Sequence, residues 1–136
     1  MDKVCPVVLR GEELLVFRHP LAGCQLVKGG IELGETPLDA ASRELAEESG
    51  LRLPPARDLG HSDRITPSQR WHFWLMGPTS DTLPESWIHC TQDDGGHDFA
   101  FFWLPLGTPS PQGSAALFQR AADTIARALA TGKPVS

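Results

Sequence analysis

Apolar and polar positions alternate or cluster in a way that marks out most of the elements of the chain. Val4 to Arg10 and Leu14 to Arg18 are β-rich runs separated by Gly11-Glu12-Glu13, which predicts a hairpin. His19 to Gly23 breaks the pattern as a loop, and Cys24 to Val27 reads as a short strand running into Lys28-Gly29-Gly30. Trp71 to Met76 alternates, with Trp71, Phe73 and Leu75 on one strand face and His72, Trp74 and Met76 on the other. Ser86 to Cys90 and Phe99 to Leu104 are further strand candidates, joined by a polar loop that holds Asp93, Asp94 and Asp98. From Ser114 to Ala130, Leu117, Ala121, Ile125 and Leu129 recur at four-residue spacing, which predicts a helix stopped by Gly132 and Pro134. Strands interleaved with helices, some joined by tight turns, predict an α+β protein with a mixed sheet and helices on its faces.

The clearest helix lies between Thr36 and Gly50. Thr36 is suited to the N-cap, Pro37 to the first helical position, Asp39 to the capping-box acid and Gly50 to the left-handed end. At 100° per residue, with Glu44 at zero, Leu38, Ala41, Leu45 and Ser49 fall between about 60° and 140°. Glu47 and Glu48 fall at about 300° and 40°, so three carboxylates share one arc centred on Glu44. Such repulsion costs an isolated helix roughly 0.2 to 0.5 kcal/mol per like-charged pair. A solvated acidic face is the plain explanation of the three glutamates taken alone. The alternative is neutralisation by a divalent cation, since carboxylate oxygens suit Mg²⁺.

Composition narrows the field. The 136 residues carry 12 Lys or Arg against 17 Asp or Glu, a net charge of −5, and are 40% hydrophobic. That supports one domain, residues 1–136, with a real core. An acidic chain without a basic cluster does not favour a long nucleic acid. No apolar run reaches the ~20 residues of a membrane span, and no signal peptide is evident, so a cytoplasmic, soluble protein is the expectation. Cys5, Cys24 and Cys90 form no C-x-x-C pair, and the five histidines have no metal-ligand spacing.

The stretch from Gly29 to Leu51 decides between the two readings of the acidic face. Gly29, Glu35, Arg43, Glu44, Leu45, Glu47, Glu48, Gly50 and Leu51 resemble, at every fixed position, the Nudix hydrolase signature G-x5-E-x7-R-E-U-x-E-E-x-G-U, with U a bulky aliphatic residue. Average residue frequencies would produce such a match on the order of 10⁻⁷ times in a chain this long, so coincidence is set aside. The resemblance implies an α/β/α sandwich and Mg²⁺- or Mn²⁺-dependent hydrolysis of a nucleoside diphosphate derivative. It implies that Glu44, Glu47 and Glu48 ligate metal or act on the attacking water, and that Arg43 is part of the catalytic set. Glu35, Gly29 and Gly50 would shape the loop–helix–loop.

The family often has Pro-Gly ahead of the first box glycine, where this chain has Val27-Lys28. The Lys28 carbonyl is the expected further metal ligand. A lysine here is similar to the Pro-Lys-Gly form of members acting on dinucleoside polyphosphates. An acidic residue beyond the box often completes the metal site, for which Asp98 is the leading candidate. Ser68-Gln69-Arg70-Trp71-His72-Phe73 is faintly similar to the Ser-Gln-Pro-Trp-Pro-Phe array of the family's NADH pyrophosphatases, without its prolines. An ordinary aromatic strand explains it as well; Trp71 and Trp74, and rings of the Phe99 to Trp103 strand, are candidates for stacking on a base. The expected substrate is a small nucleotide, a dinucleoside polyphosphate or a nucleoside triphosphate, with no membrane partner and a homodimer as a candidate assembly. A Nudix-like binding or regulatory module without turnover is the alternative.

Overall fold

The computed structural model describes residues 2–80, 82–92, 96–111 and 113–136. Eight strands form one sheet: β1 (Lys3–Arg10), β2 (Glu13–His19), β3 (Gly23–Gln25), β4 (Gly29–Gly30), β5 (Pro55–Ser62), β6 (Trp71–Met76), β7 (Ser86–Thr91) and β8 (His97–Pro105). The helices are α1 (Pro37–Ser49) and α2 (Ala116–Thr131). The main order is β5-β6-β1-β2-β8-β7, with β3 added to β2 and β4 to β1. β1 and β6 run parallel, whereas the other pairings are antiparallel, so the sheet is mixed as expected.

Strand alternation feeds two cores, one on each face of the sheet. Val4, Val8, Leu15, Phe17, Met76, Phe99, Phe101 and Trp103 bury against Ala40, Ala41 and Leu45 of α1. Cys5, Val7, Leu14, Val16, Trp71 and Phe73 bury against Phe118, Ala121, Ile125 and Ala128 of α2. The result is an α+β, three-layer α/β/α sandwich. The buried stripe of α2 runs through Phe118 and Ala128, with Leu117 and Leu129 flanking it, because a 3.6-residue turn drifts off a strict four-residue row.

Helix α1 ends as its sequence predicts. Thr36 Oγ1 accepts from the Asp39 amide at 3.1 Å, and Gly50 takes φ = 80° as its amide donates to Ala46 O. Helix α2 begins at Ala116 with no side-chain cap, so its start has no strong sequence mark. β5 was not expected. Its sequence, PARDLGHS, is poor in strand formers, and its pairing with β6 shifts register twice. Among the described residues no helix is long and apolar enough to cross a membrane.

Candidate active site

Four of the expected site residues meet through one guanidinium. Arg43 donates from Nε and Nη2 to the two oxygens of Glu35, both at 2.8 Å, a bidentate pair that ties the loop to the helix. Nη2 also donates to Gly30 O at 2.8 Å, and Nη1 to Glu44 at 2.8 Å and Glu47 at 3.3 Å. Glu35 in turn accepts from the Glu32 amide at 3.0 Å, which closes the turn. The Arg43 guanidinium, helped by that amide, holds the Glu35 carboxyl down at about 2. The same partners, Glu35 first, raise Arg43 above its already high ordinary value.

Glu44 and Glu48 are buried, with relative exposures of 7% and 8%. Burying a carboxylate is costly unless it is compensated, and each has a local partner. Glu44 meets Arg43, and Glu48 Oε1 accepts from the Lys28 amide at 3.2 Å. Gly29 is a glycine for a steric reason, since a Cβ there would lie 2.0 Å from Glu44 Cδ. Behind Lys28 and Glu48, burial pushes the Cys5 thiol up to about 12. It is therefore a neutral thiol and no nucleophile.

The far end of α1 is clamped by β7. Trp87 Nε1 donates to Ser49 O at 3.0 Å, and His89 Nε2 lies 3.1 Å from Glu47 O, where it donates. A Cβ on Gly50 would crowd the His89 ring at 3.0 Å. The clamp fixes the helix turn that carries Glu47 and Glu48.

These groups open onto a cleft of about 780 Å³. Glu32, Arg43, Glu44, Glu47 and Glu48 line one part, Lys3, Lys28 and Gly30 another, and Phe17, His19, Ala22, Gln25 and Phe99 the rest. A recess of about 60 Å³ under α2 is mostly apolar and shares only Gln25 and Lys28 with the cleft, so the chemistry belongs to the cleft.

Three expected residues lie elsewhere. Trp71 lies in the core beneath α2, on the other face of the sheet from Phe17 and Phe99, with its Nε1 donating to Thr66 Oγ1 at 3.3 Å, and it does not line the cleft. Trp74 packs beside the α1-side core and does not line the cleft. Asp98 is exposed on β8 opposite Cys90, on the strand face away from Phe99 and Phe101, and raises the Cys90 thiol by hydrogen bonding to it. Asp93 and Asp94 fall outside the described residues.

In their place the fold supplies Glu32 as the further acid at the cleft, and Phe17, Phe99 and His19 as its rings. Glu32 occupies a variable position of the signature and carried no mark. Phe17 and His19 share the Leu15 face of β2, a period-two signal visible in the sequence. Only the pairing of β2 with β8 brings Phe99 to them, with the Phe17 and Phe99 rings 4.2 Å apart.

A divalent cation fits the donor chemistry. Hard carboxylate oxygens and backbone carbonyls suit Mg²⁺ or Mn²⁺. Among the described residues no three His, Cys, Asp or Glu side chains already converge to hold an ion. Glu44 and Glu47 each meet Arg43 through one carboxylate oxygen only.

The mixed sheet between two helices, with a glutamate-rich loop–helix–loop at its cleft, is a sandwich shared with solved Nudix structures. A MutT Nudix hydrolase from Burkholderia pseudomallei superposes with a TM-score of 0.66 at 21% identity, covering 90% of this chain and 95% of that one. An ADP-ribose pyrophosphatase from Streptococcus suis gives 0.65 at 17% identity, covering 98% and 92%. The family model described as NUDIX domain matches residues 2–125, and the chain belongs to that family. Among curated relatives, an RNA pyrophosphohydrolase from Rhizobium meliloti is 35% identical over 105 residues, 60% of this chain and 58% of that protein. An NAD-capped RNA hydrolase from Haemophilus influenzae is 29% identical over 121 residues, 80% of this chain and 42% of that protein. The chain thus spans less than two thirds of the length of these relatives.

Proposed function

We propose that the domain is a pyrophosphohydrolase that cleaves the phosphoanhydride bond of a nucleoside diphosphate derivative with Mg²⁺ or Mn²⁺. The observation that carries this reading is the burial of Glu44 and Glu48 at one cleft beside the Arg43–Glu35 pair. A surface acidic patch has no need of two buried carboxylates, one paired with Arg43 and the other held by the Lys28 amide. When bound, the cation neutralises diphosphate charge and makes water more acidic.

The chain's own groups do the rest. Glu44, Glu47, Glu48 and the Lys28 carbonyl would hold the ion, with Glu32 as the additional acid of the cleft. Water attacks phosphorus, the P–O bond to the departing phosphate breaks, and a glutamate carboxylate takes the water's proton as general base. The glutamates titrate as a coupled set, so the base is a property of the group. Arg43 and Glu35 keep the loop and helix in register throughout. No covalent nucleophile is required.

A small nucleotide is the preferred substrate, with dinucleoside polyphosphates first and nucleoside triphosphates second. The net charge of −5 offers little to a polymer away from the reaction centre. Lys28 would add one point charge for a polyphosphate tail. The names of the curated relatives make RNA 5′ ends the class to set against this. The test is kcat/KM, with and without Mg²⁺, for a dinucleoside tetraphosphate, a nucleoside triphosphate, an ADP-sugar and a short 5′-triphosphorylated RNA. Cleavage of the small substrates only with Mg²⁺ supports the reading. Strong preference for the RNA would overturn the small-substrate part, and no cleavage of any would overturn the enzymatic part.

A further inference from the structure

The cations of the cleft fall into two kinds. A guanidinium has five N–H donors, and those of Arg43 are all engaged, on both oxygens of Glu35, on Gly30 O, on Glu44 and on Glu47. Arg43 therefore shapes the loop and helix and has no donor left over for a ligand. The other Lys or Arg side chains that line the cleft are Lys3 and Lys28. Among the described residues the ion pairs engage Arg10, Arg43, Arg70 and His72, and neither lysine.

Backbone pairing brings the two lysines together. Lys3 is paired across the β1–β4 ladder with Gly30, and Lys28 comes two residues before Gly30. At that offset two side chains start about 7 to 8 Å apart, within reach of one polyphosphate for stems as long as lysine's. Gly29 and Gly30 put no side chain between them. Both lysines are half-buried, and two like charges held near one another are unfavourable until an anion lies between them.

We propose that Lys3 and Lys28 form one binding subsite for the phosphate that lies beyond the scissile diphosphate, so that the cleft selects nucleotides with three or more phosphates. This rests on the pyrophosphohydrolase reading for its substrate class, and it makes Lys3 a partner of Lys28 at the tail. Each further phosphate adds negative charge that the glutamates repel, and a paired cation site offsets that repulsion. Ammonium groups act as point charges and not as a geometric fork, so they select for tail length and leave the identity of the far group unread. The competing role is general neutralisation of the glutamates, which would serve every substrate alike.

The experiment has two arms on the whole chain. In calorimetric titrations with Mg²⁺, the probes are α,β-methylene ADP and α,β:β,γ-bismethylene ATP, neither of which has a P–O–P bridge to cleave. The wild type should bind the longer analogue about tenfold more tightly. Lys3→Met and Lys28→Met keep the stem and remove the charge, and each should cut that preference to about threefold or less. Lys3→Arg keeps the charge and should retain most of it. No preference in the wild type, equal losses for both analogues in the Met variants, or a Lys3→Arg that behaves as Lys3→Met would overturn the proposal. In the second arm, the ratio of kcat/KM for the dinucleoside tetraphosphate to that for the ADP-sugar should fall about tenfold in Lys3→Met, chiefly through KM. An unchanged ratio would overturn it. The titrations need no turnover, so an inactive wild type would defeat the enzymatic reading while the analogue preference still decides the role of the lysines.

Discussion

The acidic and aromatic parts of the cleft are held in place by opposite means. On the acidic side, Glu35, Glu44 and Glu47 converge on Arg43 through directional hydrogen bonds of 2.8 to 3.3 Å. On the aromatic side, Phe17 and Phe99 are placed by burial, 1% and 5% exposed, with their rings stacked. Directional bonds fix charge to a fraction of an ångström at a wet surface, and burial fixes shape more loosely but contributes more to stability. Damage to the first region should therefore appear chiefly in turnover. Damage to the second should appear chiefly in stability and affinity.

The sharpest break is Glu48→Gln. Removing this carboxylate should cost two or more decades in kcat, the scale of losing a group that stabilises transition-state charge. Its fold should survive, because the change relieves repulsion in the cluster. The thermal stabilisation that added Mg²⁺ gives the wild type by mass action should shrink. An unchanged metal titration would remove Glu48 from the ligand set.

Gly29→Ala attacks the same region by steric means. The new methyl would sit 2.0 Å from Glu44 Cδ, so Glu44 or the loop must shift. A loss of kcat of tenfold or more is expected, with a stability cost of roughly 1 to 3 kcal/mol, as for other overpacked sites. Denaturant titration beside steady-state kinetics would measure both.

Phe99→Leu sharpens the other half of the comparison. Losing the ring should cost roughly 1 kcal/mol of stability, of the order of an aromatic pair. KM should rise severalfold, with kcat within about threefold. A variant that lost kcat as heavily as Glu48→Gln would dissolve the distinction between the two regions.

The smallest effect concerns acid. Glu35 is held at about 2 against an ordinary value of 4.5, so its folded form binds protons less readily than its unfolded form. Its contribution is complete above pH 4.5 and is lost as pH falls from 4.5 towards 2. Glu35→Gln should flatten the dependence of Tm on pH across that window and leave the profile above it parallel to wild type. An unaltered slope would show that the Arg43 pair is not coupled to folding.

The acidic region was legible because it is contiguous, with spacing from Gly29 to Leu51 encoding cap, helix, charge arc and helix end together. The strands of the hairpin, β6, β7 and β8 were legible from alternation. β5 was not, since Pro55, Asp58 and Gly60 give no strand pattern and its pairing is supplied by β6. Alternation states which residues share a face but not what that face meets. Trp71 shares a face with Phe73, and that face turned out to be the one under α2. Of the two strands that offered stacking rings, β6 lies away from the cleft and β8 reaches it through Phe99, joined by Phe17 of β2. Asp98 likewise lies one step out of phase with Phe99 and does not line the cleft.

The register of the sheet also orders events in time. β2 pairs Glu13 with Pro105, and β1 pairs Lys3 with Trp71, so the aromatic side is assembled from contacts distant in sequence. Contacts of that kind form late and slow the folding of a domain. The link from Arg43 to Glu35 spans only a loop and the first turns of α1. During synthesis, a chain that has emerged as far as Leu51 already carries every glutamate of the proposed centre. It has as yet no β8, and hence no second side to its cleft, until the last strand joins.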